Sequence, residues 1–201
     1  ITEGGRKMMM YRLRDSQVRQ AVIRDMKKEG RDYSRVLISV SQINRMLTKR
    51  RISEIAIAQG KQPEEVVIDV LLASDGRAIV SLEVLSEKNV DKAVTHPFSI
   101  ISSNGVGYPI GHKTTGDLVH PRNFGTFPKV FAEYVNKKKL LSWEEAVYKM
   151  TGKPAAQFLL TGRGVLRKGN YADVVVFRPE VIAPRATMED PYQYPVGIDW
   201  V

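Results

Sequence analysis

Between residues 78 and 102 the chain runs strand, helix, strand, and this rhythm limits its possible folds more than any other feature. Ala78–Val84 is largely apolar, Ser86 is placed to cap a helix over Glu87–Thr95, and Phe98-Ser99-Ile100-Ile101-Ser102 is apolar again. Two strands joined through a crossover helix favour parallel pairing in an α/β layer, because a tight turn joins only antiparallel neighbours. The expected fold class is therefore α/β.

The flanking segments supply further helices and strands. Residues 6–29 place Met9, Met10, Leu13, Val18, Val22, Ile23 and Met26 at helical spacing among many charges. Val36–Val40 reads as a strand, and Ile52–Gln59 as a helix closed by Gly60. Pro63 suits the first turn of a helix to Ala73, with Glu64 and Glu65 at its positive end. An amphipathic helix is expected over Phe127–Lys138. Ser142-Trp143-Glu144-Glu145 has the form of a capping box for a helix to Met150, and Pro154 opens another over Ala155–Leu160. Beyond Gly162 the texture turns to strand, with Asp173–Phe177 and Ile198–Val201 as its two apolar runs and a Pro/Tyr-rich tail over 184–195.

Charge is distributed unevenly. Residues 1–51 hold 14 basic and 5 acidic residues, an excess that equals the whole chain's net charge of +9. Such a block raises nucleic-acid binding as a possibility, but a solvated helical face is the commoner explanation. The segment offers only Tyr11 and Tyr33 as aromatic platforms and has no finger or RNP pattern, so nucleic acid is not the expected partner. Zero cysteines exclude thiolate nucleophiles and ligands and fit a reducing, cytoplasmic location. No run of apolar residues is long enough to predict a membrane helix.

The chemistry-bearing residues gather in the loop that follows Phe98–Ser102. Ser103–Gly125 carries Asn104, Tyr108, His112, Lys113, Asp117, His120, Arg122 and Asn123 between five glycines and two prolines. A solvated Asn-Gly turn is the plain explanation. In α/β folds, however, ligands sit at the carboxyl ends of strands, and long structured loops are more often functional than not. Arg122 presents a planar fork suited to a carboxylate, though a salt bridge would use it equally well. His96, His112 and His120 form no H-x-H or H-E-x-x-H pattern, so none is by itself a predicted metal ligand.

His120-Pro121-Arg122-Asn123-Phe124-Gly125-Thr126-Phe127-Pro128 resembles the signature loop of N-acyl-D-amino-acid deacylases (D-aminoacylases), metal-dependent amidohydrolases. The likeness extends to His96-Pro97, Ser103-Asn104-Gly105, Ser142-Trp143-Glu144-Glu145-Ala146, Lys149-Met150-Thr151, Gly162-Arg163-Gly164, Ala172-Asp173 and Asp190-Pro191. It implies the C-terminal part of a (β/α)8 barrel. Residues 1–80 would be a basic, mainly helical insertion with a barrel-linking segment, and 81–160 the last barrel strands and helices around an active-site loop at 102–128. Residues 161–201 would be a C-terminal β segment of a small β-domain. The implied reaction is zinc-assisted hydrolysis of an N-acyl-D-amino acid, with Arg122 and His120 binding the substrate.

Two features depart from the family pattern. A (β/α)8 barrel takes about 250 residues, so a 201-residue chain with an insertion and a β tail is expected to be part of a longer protein, inactive alone. The zinc ligands would then lie mostly upstream, supplied with the rest of the barrel. Asn104 stands where the family has the aspartate that acts as general base, and a neutral amide takes up no proton. The alternative function is accordingly a catalytically inactive amidohydrolase-fold binding protein.

Overall fold

The computed structural model describes residues 1–201 and is mixed α/β, in two compact units. Unit 1 comprises Ile1–Val84 with His112–Leu118, and unit 2 comprises Leu85–Gly111 with Val119–Val201.

Unit 1 contains α1 (Gly5–Arg12), α2 (Ser16–Glu29), β1 (Val36–Ser41), α3 (Ile52–Gln59), α4 (Pro63–Ala73) and β2 (Ala78–Leu82). The single helical stretch expected over 6–29 breaks at Asp15, whose carboxylate accepts from the amides of Gln17 and Val18 at 3.0 Å and starts α2 afresh. Gly60 ends α3 at φ 62°, the left-handed value that glycine adopts without a steric penalty. Every residue of β1 is buried, and Ile38, Val36, Ile52, Ile55, Val66 and Val70 form one core. A second cluster joins Met10, Leu13 and Ile23 to Ile68 of α4. Arg19 holds Asp69 at 2.6 Å and Lys61 holds it at 2.7 Å, tying α2 to α4.

Unit 2 contains α5 (Glu87–Thr95), α6 (Arg122–Lys129), a π-helix over Val130–Lys137, α7 (Trp143–Met150), α8 (Gly152–Gln157), β3 (Val176–Phe177) and β4 (Ile198–Trp200). Its core is Val130, Phe131, Tyr134, Val135, Leu141, Ala146 and Ile182, with Phe131 stacked on both Trp143 and Phe177 at 4.9 Å. The capping box at the start of α7 forms in full: Glu145 N donates to Ser142 Oγ at 3.1 Å and Ser142 N to Glu145 Oε2 at 2.9 Å.

Four expectations need correction. Pairing is antiparallel, β1 with β2 and β3 with β4, not parallel. Phe98–Ser102 is not a strand; its backbone is held by a helix instead, Ile101 N donating to Lys149 O at 3.1 Å. The helix expected from Phe127 begins at Arg122 and widens after Pro128, which has no N–H to close an ordinary turn. The helix expected over Ala155–Leu160 instead spans Gly152–Gln157, and Leu159 turns left-handed at φ 56°.

Candidate functional site

Unit 2 brings together two short turns that the chain separates by more than a dozen residues. In the first, Ser102 Oγ accepts from Asn104 N at 3.4 Å and Ser103 Oγ from Gly105 N at 3.1 Å. Asn104 takes φ 45°, a conformation that asparagine and aspartate tolerate better than most side chains. In the second, His120 Nδ1 accepts from Arg122 N at 3.1 Å, and His120 O accepts from both Asn123 N at 3.0 Å and Asn123 Nδ2 at 2.8 Å.

Asn123 joins the two. Its Oδ1 accepts from Val106 N at 2.6 Å while its amide nitrogen holds His120 O. Gly105 lies directly against it, since an added Cβ would meet Asn123 Oδ1 at 3.0 Å and Asn123 Cα at 3.3 Å. A larger residue at 105 would require Asn123 or Ser103 to give way slightly. Asn104, His120 and Arg122 are exposed, so both turns offer polar groups to solvent.

The C-terminal tail supports the second turn from behind. Phe124 packs edge-on against Tyr192 and Tyr194 at 5.9 and 6.1 Å, and Gly125 faces Pro184 so closely that a Cβ would stand 2.9 Å from it. The Pro/Tyr-rich tail thus supports the helix that begins at Arg122.

The electrostatics of the second turn favour an anion. Although His120 is exposed, partial desolvation of its ring lowers its pKa, and the neighbouring charges of Arg122 and Lys129 lower it further. Nδ1 is occupied as an acceptor, so neutral His120 carries its proton on Nε2 and presents an N–H donor beside a guanidinium. Together these groups are suited to a carboxylate or another oxyanion.

The other two histidines lie elsewhere. His96 Nδ1 accepts from Phe98 N at 3.3 Å within a turn of unit 2, and His112 belongs to the segment of unit 1, where its carbonyl accepts from Thr115 Oγ1 at 2.9 Å. No group of three His, Cys, Asp or Glu is placed to hold a metal ion, so the residues of this chain do not by themselves fit a zinc site. Sequence reasoning missed the role of Asn123. Its position inside the signature loop was visible, but its long-range partner Val106 was not.

The chain is similar to known proteins in both sequence and fold. The family model for the amidohydrolase family matches residues 2–196. The N-acyl-D-aspartate deacylase of Alcaligenes xylosoxydans xylosoxydans is 37% identical over 170 residues, 84% of this chain and 32% of that protein. The D-aminoacylase of the same organism is 36% identical over 76% of this chain and 29% of its own length. Among solved structures, the N-acyl-D-glutamate deacylase from Bordetella bronchiseptica, complexed with zinc and a phosphonate inhibitor, superposes with a TM-score of 0.71. It is 30% identical, with 83% of this chain and 33% of that one covered. A D-aminoacylase crystal structure superposes at 0.69 with 34% identity, covering 82% of this chain and 32% of its own. The chain thus spans about a third of the length of these relatives. Agreement of sequence and structure over most of its residues places the chain in the amidohydrolase family.

Proposed function

We propose that this chain is the carboxylate-binding part of an N-acyl-D-amino-acid deacylase, an enzyme that hydrolyses the amide bond to give a carboxylate and a free D-amino acid. The observation that carries this is the pair of turns joined by Asn123, which ties the turn bearing His120 and Arg122 to the turn bearing Asn104. Arg122 grips the α-carboxylate through its fork, and His120 adds a donor to the same group. A substrate so anchored presents its amide bond to the Asn104 turn, where the hydrolytic proton has to be managed. Water adds to the acyl carbon, the C–N bond breaks, and the proton goes to the leaving amine.

Related structures carry zinc or a binuclear metal centre. Zinc in the whole protein would polarise the acyl group, and on this reading most of its ligands come from outside this chain, whose own residues form no three-ligand cluster. The remainder of a (β/α)8 barrel would supply them. On this reading residues 1–80 form the insertion and a barrel-linking segment, 81–160 the closing barrel elements and 161–201 part of the small β-domain.

The inactive-relative alternative rests on Asn104 alone, and the matched proteins, named as deacylases or as a D-aminoacylase, lend it no support. Nucleic-acid binding is disfavoured too, because many basic residues of unit 1 are committed to ion pairs, among them Arg19–Asp69, Arg51–Glu83 and Lys61–Asp69. No helix is long and apolar enough to cross a membrane. We assign the cytoplasm, where the absence of disulfides costs nothing.

The test is hydrolysis of a panel of N-acetyl-D- and N-acetyl-L-amino acids by the zinc-loaded full-length protein. Turnover of the D series alone is expected, and loss of the Arg122 fork in Arg122→Ala should raise KM by about 10-fold or more, the scale of one charge-assisted contact. Turnover of neither series would overturn the assignment.

A further inference from the structure

One buried cation in unit 2 is fully engaged by a single short segment. Lys149, in the last turn of α7, is only 6% exposed. Its ammonium donates to His96 O at 2.6 Å, Ser99 Oγ at 2.9 Å and Ser99 O at 3.3 Å. An ammonium has three N–H donors and no acceptor, so three acceptors complete its requirement. None of them is a carboxylate. Burial pushes the Lys149 pKa down, and the nearby Lys153 pushes it the same way.

Placing a lysine here is costly in desolvation, and a packed apolar side chain would fill the space without that cost. What the ammonium adds is a fixed location for the chain it binds. The backbone of the same residue contributes as well, Lys149 O accepting from Ile101 N at 3.1 Å, and Lys153 reaches Pro97 O. Every one of these contacts falls within residues 96–101. Asn104 follows Ile101 by three residues, a span of at most about 11 Å of extended chain. The segment is not held by a strand ladder, so these contacts take the place that ladder hydrogen bonds would have had.

We infer that Lys149 is a positioning residue, one that anchors the His96–Ile101 segment and so fixes where the Asn104 turn stands relative to His120 and Arg122. This rests on the reading of those turns as the substrate site. The anchor itself does not depend on that reading.

The experiment pairs hydrogen–deuterium exchange with kinetics, both on the zinc-loaded full-length protein, using Lys149→Met and the milder Ser99→Ala, which removes one of the three acceptors. Lys149→Met should speed amide exchange across residues 99–106 about tenfold while leaving residues 143–148 protected. Ser99→Ala should act in the same direction more weakly, and it answers the question if Lys149→Met does not fold. In the full-length protein kcat should fall about tenfold, with KM within a factor of two because Arg122 still holds the carboxylate. Unchanged exchange over 99–106 in both variants would overturn the anchor. Faster exchange with unchanged kcat would overturn its role in positioning for catalysis. An inactive wild-type protein would overturn the deacylase reading only, leaving the exchange result to decide the anchor.

Discussion

His120 shows how much one imidazole determines in this site. Its Nδ1 accepts the Arg122 amide only while unprotonated, so protonation at that nitrogen cancels the hydrogen bond that shapes the turn. Partial desolvation of the ring, then Arg122 and Lys129, lower its pKa below 6.5 in the folded protein. A histidine with a lowered folded-state pKa binds fewer protons folded than unfolded, so its contribution to stability is present above pH 6.5 and is lost as pH falls through the folded value. An NMR titration of the His120 ring should therefore give a midpoint below 6.5, and the Arg122 amide should lose protection over the same acidic range. A midpoint at or above 6.5 would contradict this account. Asn104 is a second residue-scale test. Its left-handed backbone suits aspartate as readily as asparagine, so Asn104→Asp changes charge without straining the turn. If a carboxylate there acts as general base, kcat of the zinc-loaded full-length protein should rise about 10²-fold or more. An unchanged kcat would mean that position 104 does not handle the proton.

The elements differ in how far local sequence decides them. Ser142 and Glu145 carry their own instructions, since both partners of the capping box lie within four residues, and the box forms as read. Replacing Ser142 with alanine removes the acceptor for the Glu145 amide and should cost about 1 kcal/mol, visible as a lower denaturation midpoint at unchanged m-value. A midpoint equal to wild type would show that α7 is held by packing of Trp143 and Ala146 alone. Gly60 and Pro63 were equally legible, because a left-handed terminus and a first-turn proline are local requirements. Phe98–Ser102 was not. Its composition is that of a strand, but a strand exists only where a neighbour offers a ladder, and here Lys149 takes the segment instead. The π-helix was hidden for a related reason: Pro128 was visible, but the wider turns after it depend on how Phe131 and Tyr134 pack into the core. In the candidate site Arg122 and His120 were readable from their chemistry, whereas the Asn123–Val106 contact that unites the turns links positions 17 apart and left no local trace.

At the scale of the whole molecule the decisive fact is which functions this chain can support with its own residues. On the proposed reading Arg122 and His120 hold an oxyanion, but no three metal ligands cluster, and the chain's 201 residues span about a third of relatives that include a zinc complex. Large apolar side chains stand in solvent on both units, Ile79 at 60% and Leu85 at 78% exposed, Leu159 at 85% and Leu166 at 79%. On the proposed reading the remainder of a barrel covers these side chains. Metal binding separates zinc ligands inside this chain from ligands outside it. A ligand that binds only the folded state stabilises it by RT ln(1 + [L]/Kd), about 2.7 kcal/mol when its concentration is a hundred times Kd. If the ligands lie outside this chain, zinc at about 100 times the Kd of the full-length protein should leave the Tm of this chain alone within a degree, while raising that of the full-length protein by several degrees. An equal rise in both would place a zinc site among the residues described here and would overturn the division of labour proposed for the barrel, leaving His96, His112 and His120 as the first ligands to replace.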